Sequence, residues 1–64
     1  MTLATTITLL TFTEAASRLR KTEASLRWMM QTGAAPKHAK IGGRIYFRET
    51  DVNRYIEEAF QTAS

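Results

Sequence analysis

Cysteine is absent from this chain of 64 residues, while proline and histidine occur once each and glycine three times. Without cysteine, neither a disulfide framework nor a thiolate metal site is available, and the lone imidazole of His38 cannot hold a metal unaided. No metal or cofactor is expected. No apolar run approaches the roughly 20 residues of a membrane span, and the stretch from Met1 to Leu10 lacks the basic start and longer apolar region of a signal peptide. The chain therefore reads as soluble and cytoplasmic, with no membrane partner. Paired carboxylates and an activated nucleophile are also missing, and Gly42-Gly43 lacks the strand-to-helix setting of a phosphate loop. A chain this short buries only about 60% of the surface its unfolded form exposes, which leaves little room for a catalytic pocket. Neither an enzyme nor catalytic residues are expected.

What the chain does have is unevenly placed charge. Its net charge is +3. Between Arg18 and Arg48, however, eight basic residues stand against Glu23 alone, a local charge of +7. The ends are acidic, with Glu14 before this block and Glu49, Asp51, Glu57 and Glu58 against Arg54 after it. A basic centre between acidic ends points to a polyanionic partner for the middle of the chain, against the alternative of a solvated basic face.

Local signals divide the chain into short elements within one domain, residues 1–64. Leu3, Ile7 and Leu9 alternate with threonines, a period of two that predicts an N-terminal strand or arm over residues 1–9, against the alternative of a frayed terminus. Thr11 and Glu14 have the spacing of a capping box, so a helix is expected from Phe12 or Thr13 to about Arg20 or Lys21, with Phe12, Ala15, Ala16 and Leu19 inward. Thr22 caps a second helix running to Thr32, with Gly33 beyond its end. Leu26, Met29 and Met30 form its inner face, and Ala24, Arg27, Trp28 and Gln31 its outer face. Pro36 blocks continuation.

Gly42-Gly43 then suits a tight two-residue turn joining Lys37 to Ile41 with Arg44 to Phe47. In this hairpin Ile41, Ile45 and Phe47 are expected to face the helices and Lys40, Arg44 and Tyr46 the outside. The strand at the N-terminus is its natural neighbour, because a lone hairpin is weak. A last helix, Glu49 to Gln61, is expected to bury Val52, Tyr55, Ile56, Ala59 and Phe60. The fold class is thus mainly α with a small β-hairpin: three helices plus a wing, a winged helix-turn-helix.

The ordered run Leu10-Thr11-Phe12-Thr13-Glu14-Ala15-Ala16, Thr22-Glu23-Ala24-Ser25-Leu26, Gln31-Thr32-Gly33-Ala34-Ala35-Pro36, Lys40-Ile41-Gly42-Gly43-Arg44 and Asp51-Val52 resembles the excisionase family of small MerR-like DNA-binding proteins. The resemblance covers about Leu10 to Ile56. It implies that the second helix enters the major groove of double-stranded DNA and that the wing follows the adjacent backbone or minor groove. It further implies side-by-side copies on DNA, bending of an attachment site, an integrase as partner, and a place at the nucleoid of a bacterial host. Two departures stand in the turn. Arg20 is where glycine often ends the first helix and Lys21 where a small apolar residue packs, which points to a differently shaped turn. Trp28 stands where arginine is common.

Candidate DNA contacts follow. On the second helix they are Thr22, Glu23, Ala24, Ser25, Arg27, Trp28 and Gln31, with Ser25 and Arg27 the candidates for base edges. On the wing they are Lys37, His38, Lys40, Gly42, Gly43, Arg44 and Tyr46, with Lys40 and Arg44 the leading phosphate or minor-groove anchors. Arg18, Arg20 and Lys21 are additional phosphate candidates. Trp28 has three open readings: DNA contact, support of a neighbouring protomer, or packing against the wing. Excision and stand-alone transcription regulation use the same face. A protein-interaction module built on Trp28 and the acidic last helix is the reading from another class.

Overall fold

The computed structural model describes residues 7–63. Three strands and three helices follow one another with short connections: β1 (Leu9–Thr11), α1 (Phe12–Arg18), α2 (Glu23–Gln31), β2 (His38–Ile41), β3 (Arg44–Arg48) and α3 (Glu49–Ala63). The sheet order is β1-β3-β2 with both pairings antiparallel, so β3 is the central strand. These elements make a winged helix-turn-helix.

Thr11 ends β1 and starts α1. Its extended backbone (φ −70°, ψ 168°) turns the chain. Its hydroxyl accepts from the Glu14 amide at 3.1 Å while the Glu14 carboxylate accepts from the Thr11 amide at 2.9 Å. Two amides that a helix start would leave unpaired are thereby satisfied. The helix ends at Arg18, two or three residues short of the expected boundary at Arg20 or Lys21. Its closing turn carries the paired bonds of a Schellman motif, from the Arg20 amide to the Ser17 carbonyl at 3.0 Å and from the Lys21 amide to the Ala16 carbonyl at 2.8 Å. This places Arg20 at φ 57°, the left-handed region. The glycine-type turn therefore persists although its residue is arginine.

The second helix closes in the same way around Gly33 (φ 77°), with Ala34 bonded back to Met29 at 2.8 Å and Gly33 to Met30 at 3.3 Å. At its other end the Thr22 hydroxyl accepts from the Ser25 amide at 3.1 Å. Both expected caps are in place.

Leu10, Ala15, Ala16, Leu26, Phe47 and Val52 form the buried core, with Phe12, Leu19, Met29, Met30, Ala35, Ile45 and Ile56 packed around it. Each strand and helix except β2 contributes a core residue. The small side chains of Ala15 and Ala16 let α1 approach its neighbours closely. Fully burying Leu26, Phe47 and Val52 contributes about 1.5–3 kcal/mol apiece.

Three expectations about facing residues are corrected. The N-terminal strand, expected over residues 1–9, is β1 at Leu9–Thr11, in which Leu10 faces inward and Leu9 is exposed, as is Ile7 before it; Leu3, the first residue of the expected alternation, lies outside the described residues. In the hairpin, the Gly42-Gly43 turn sets Ile41 opposite Arg44 and Lys40 opposite Ile45. Residues opposite one another share a face and neighbours alternate. Lys40 therefore shares the face of Ile45 and Phe47, while Ile41 joins Arg44 and Tyr46 on the other and stays half exposed. In α3, Val52 is buried and Tyr55 and Ile56 are partly so, but Ala59 and Phe60 are exposed. The helix continues past the last residue that the core covers.

Candidate nucleic-acid interface

Between the start of α1, the start of α2 and the tip half of the wing lies a cleft lined by Thr11, Phe12, Thr13, Glu23, Arg27, Gly43, Arg44, Ile45 and Tyr46. The cap at Thr22 directs the first turn of α2 here. On the wing side, Gly42 and Gly43 adopt φ 59° and 84°, the two positive values that a type I′ hairpin turn requires. The tip can thus reverse within two residues and leave Arg44 at the cleft.

Two contacts fix side chains of α2 against α1. The Arg27 guanidinium lies over the Phe12 ring, 4.9 Å from its centroid, a cation–π contact that holds the charge in place without neutralising it. Phe12 itself is backed by Phe47, with ring centroids 6.5 Å apart. The Glu23 carboxylate accepts from the Thr13 hydroxyl at 2.6 Å. One cation and one anion on the first two turns of α2 are thereby oriented before any ligand arrives, while Ala24, Ser25, Trp28 and Gln31 are solvent-exposed.

The structure brings Glu23, Arg27, Gly43, Arg44 and Tyr46 together around the cleft. The remaining candidates lie elsewhere. Trp28, 65% exposed, and Gln31 sit farther along α2, where Trp28 has open solvent around most of its ring. Lys37 and His38 are at the root of the hairpin, and the two rings of His38 and Phe47 are 5.3 Å apart. The Nδ1 of His38 is 2.9 Å from the Pro36 carbonyl, so in the tautomer that carries a proton there it donates to its own chain. Lys40 and Gly42 are exposed near the tip. Arg18 is paired with Glu49 of α3 at 2.8 Å. Arg20 and Lys21 occupy the turn between α1 and α2, beside the far half of α3.

Phe12 and Thr13 escaped the sequence reading as parts of this site. Phe12 has the spacing of a core residue and packs against the core, but it also carries Arg27 on its exposed side. Nothing in the local pattern distinguishes those roles, since the partner lies fifteen residues away. Arg48 similarly pairs with Asp51 at 2.6 Å, which braces the root of the wing against α3.

Among the described residues no group of three or more metal-ligating side chains is found, and no helix is long and apolar enough to cross a membrane. Residues 9–59 match the model of a family described as a helix-turn-helix domain. No curated protein and no solved structure matches the chain. The family match runs from the first residue of β1 into the far half of α3 and so takes in both caps, the turn, the wing and the cleft. With more than half of its length matched, the chain belongs to the helix-turn-helix domain family, a family of DNA-binding domains.

Proposed function

We propose that this protein is an excisionase-like architectural protein that binds double-stranded DNA through α2 and the wing and bends an attachment site to direct integrase-mediated recombination toward excision. The observation that carries the reading is the cleft with Arg27 on one wall and Arg44 on the other, in a helix-turn-helix fold. A recognition helix and a wing separated in this way suit a major groove and its neighbouring backbone. The order of motifs from Leu10 to Val52 supports the narrower excisionase assignment.

In this reading Ser25 and Arg27 contact base edges, with Glu23, Ala24, Trp28 and Gln31 extending the surface and Thr22 closing its start. Arg44 and Lys40 grip phosphates or the minor groove around Gly42 and Gly43, with Tyr46, Lys37 and His38 behind them. Arg20, Lys21 and Arg18, which is also paired with Glu49, add backbone contacts. Copies of the chain bind neighbouring sites, which raises occupancy through effective concentration.

A circular-permutation gel-shift assay on attachment-site DNA tests the proposal. The expected result is a complex whose mobility depends on where the site lies in the fragment, with occupancy of one site helping the next. Binding with no dependence on site position excludes the architectural role and leaves a transcription regulator that uses the same face, for which an operator beside its target gene is expected.

A further inference from the structure

Glu23 and Arg27 stand four residues apart on α2, both exposed and with the acid on the N-terminal side. That is the order in which opposite charges most readily pair across one helical turn. They do not pair. The ion pairs found among the described residues are Arg18 with Glu49 and Arg48 with Asp51. Each group is instead turned to one of two neighbouring residues of α1. The Glu23 carboxylate accepts from the Thr13 hydroxyl at 2.6 Å, and the Arg27 guanidinium lies 4.9 Å from the centroid of the Phe12 ring.

Relative strengths explain why α1 prevails. An exposed ion pair on a helix is weak, because water screens both charges and two long side chains must be held in one geometry. A guanidinium over an aromatic face is at least its equal, and a hydroxyl that donates to a carboxylate makes a charge-assisted bond. Both contacts are also braced from behind. Phe12 rests on the fully buried Phe47, and Thr11 and Thr22 cap the two helix starts that carry these side chains. Neither Phe12 nor Thr13 brings an opposite charge, so the acid and the cation keep theirs for a ligand.

We infer that Phe12 and Thr13 are positioning residues that hold Glu23 and Arg27 apart, so that α1 decides how sharply α2 discriminates among duplex sequences. The inference rests on the DNA-binding reading of the cleft, in which α1 itself supplies no base contact. A Glu23–Arg27 pair would have to be broken before either group met a base edge, and a loose Arg27 would have to be ordered at the same moment. Holding the two apart in the free protein removes both costs in advance. Phosphates recur along every duplex and carry no sequence information, so a random duplex gains little from the same device. The benefit falls on selectivity.

Competition binding of the whole chain tests the inference, with a duplex enriched from a random library by the parent chain set against an unselected duplex of the same length. Phe12→Leu is expected to lower the ratio of the two affinities by about two- to tenfold, the cost of ordering one long side chain on binding. Thr13→Val, at an exposed position outside the core, lowers the ratio in the same direction. Phe12→Tyr, which restores the ring face, recovers it. In an Arg27→Ala background the effect of Phe12→Leu on the ratio disappears, whereas a merely structural loss would persist there. In the free chain, nuclear magnetic resonance is expected to show the Arg27 side-chain protons displaced by the Phe12 ring. Phe12→Leu abolishes that displacement and brings the Glu23 and Arg27 protons into contact. A Phe12→Leu chain as selective as the parent, or one with an equal loss in both backgrounds, overturns the inference alone. A parent that enriches no duplex overturns the DNA reading, and the selectivity role with it.

Discussion

Arg20 is the residue whose backbone is at odds with its identity. At φ 57° it occupies the left-handed region, where a side chain costs about 1–2 kcal/mol and glycine nothing. Glycine also loses more freedom on folding, which offsets part of the gain. Arg20→Gly is therefore expected to raise stability by about 0.5–1 kcal/mol, read as a higher urea midpoint at unchanged slope. A lower midpoint would show that the arginine side chain contributes more than its backbone costs. Under the proposed DNA-binding reading, the interface divides labour among residues in another way. Arg44→Ala is expected to weaken binding to every duplex by a similar factor, whereas a change at Ser25 or Arg27 shifts sequence preference by about 1–3 kcal/mol where a base edge is contacted. Competition binding against specific and random duplexes separates these outcomes, and equal losses on both at all three positions would remove the division. Arg27 carries a further load, since its removal also uncovers the Phe12 ring. Arg27→Lys keeps the charge but not the flat stacking face, and so reports on orientation alone.

Among the elements, the wing has the narrowest sequence requirement. Gly43 has φ 84° and an added Cβ would meet no atom within 4 Å, so the cost of Gly43→Ala is conformational and not steric. A loss of about 1–2 kcal/mol in the turn is expected. The hairpin rather than the core should register it, as faster amide exchange in β2 than in α1 or α2. Uniform loosening of all elements would mean that the turn is part of the global folding unit. The elements also show what was legible in the sequence. Caps are local chemistry, so Thr11 with Glu14, Thr22 and Gly33 announced the helix ends within a residue or two. The Gly-Gly turn was equally plain. Which face of the hairpin looks inward was not, because apolar content suggested that Ile41, Ile45 and Phe47 act together while the two-residue loop forces Ile41 to the side of Arg44. The reach of α3 was hidden for a different reason. Its periodicity marks a stripe, but how far the stripe is covered depends on the length of the elements beneath it. The pair between Arg18 and Glu49, thirty-one residues apart, has no local signature at all.

Considered whole, the molecule has one small core and an excess of positive charge outside it. Leu26, with no exposed surface, packs at the centre of that core, and its truncation to alanine is expected to cost about 2–5 kcal/mol. In a domain of this size that is a large part of the total stability. Thermal unfolding checks it, and a small shift would indicate that the site collapses to fill the void. Binding should carry the mark of the basic centre. With about five or six phosphates contacted, the affinity is expected to fall with salt at a log–log slope near −5. Titration of any duplex by the purified chain over a range of salt measures the slope, and salt-insensitive or absent binding would contradict the electrostatic part of the argument.

No residue separates β3, which ends at Arg48, from α3, which begins at Glu49, and the Arg48–Asp51 pair spans the junction. The same strand is flanked by β1 on one side and β2 on the other. A hinged flap would swing until it suited whatever groove it met. In the DNA-binding reading proposed above, a wing rooted in this way acts as a fixed stylus, held by the third helix at a set distance from α2. On that reading, a mismatch between that distance and the spacing of the grooves in straight DNA is expected to be absorbed by the duplex, which would favour easily deformed sequences at positions the protein never touches.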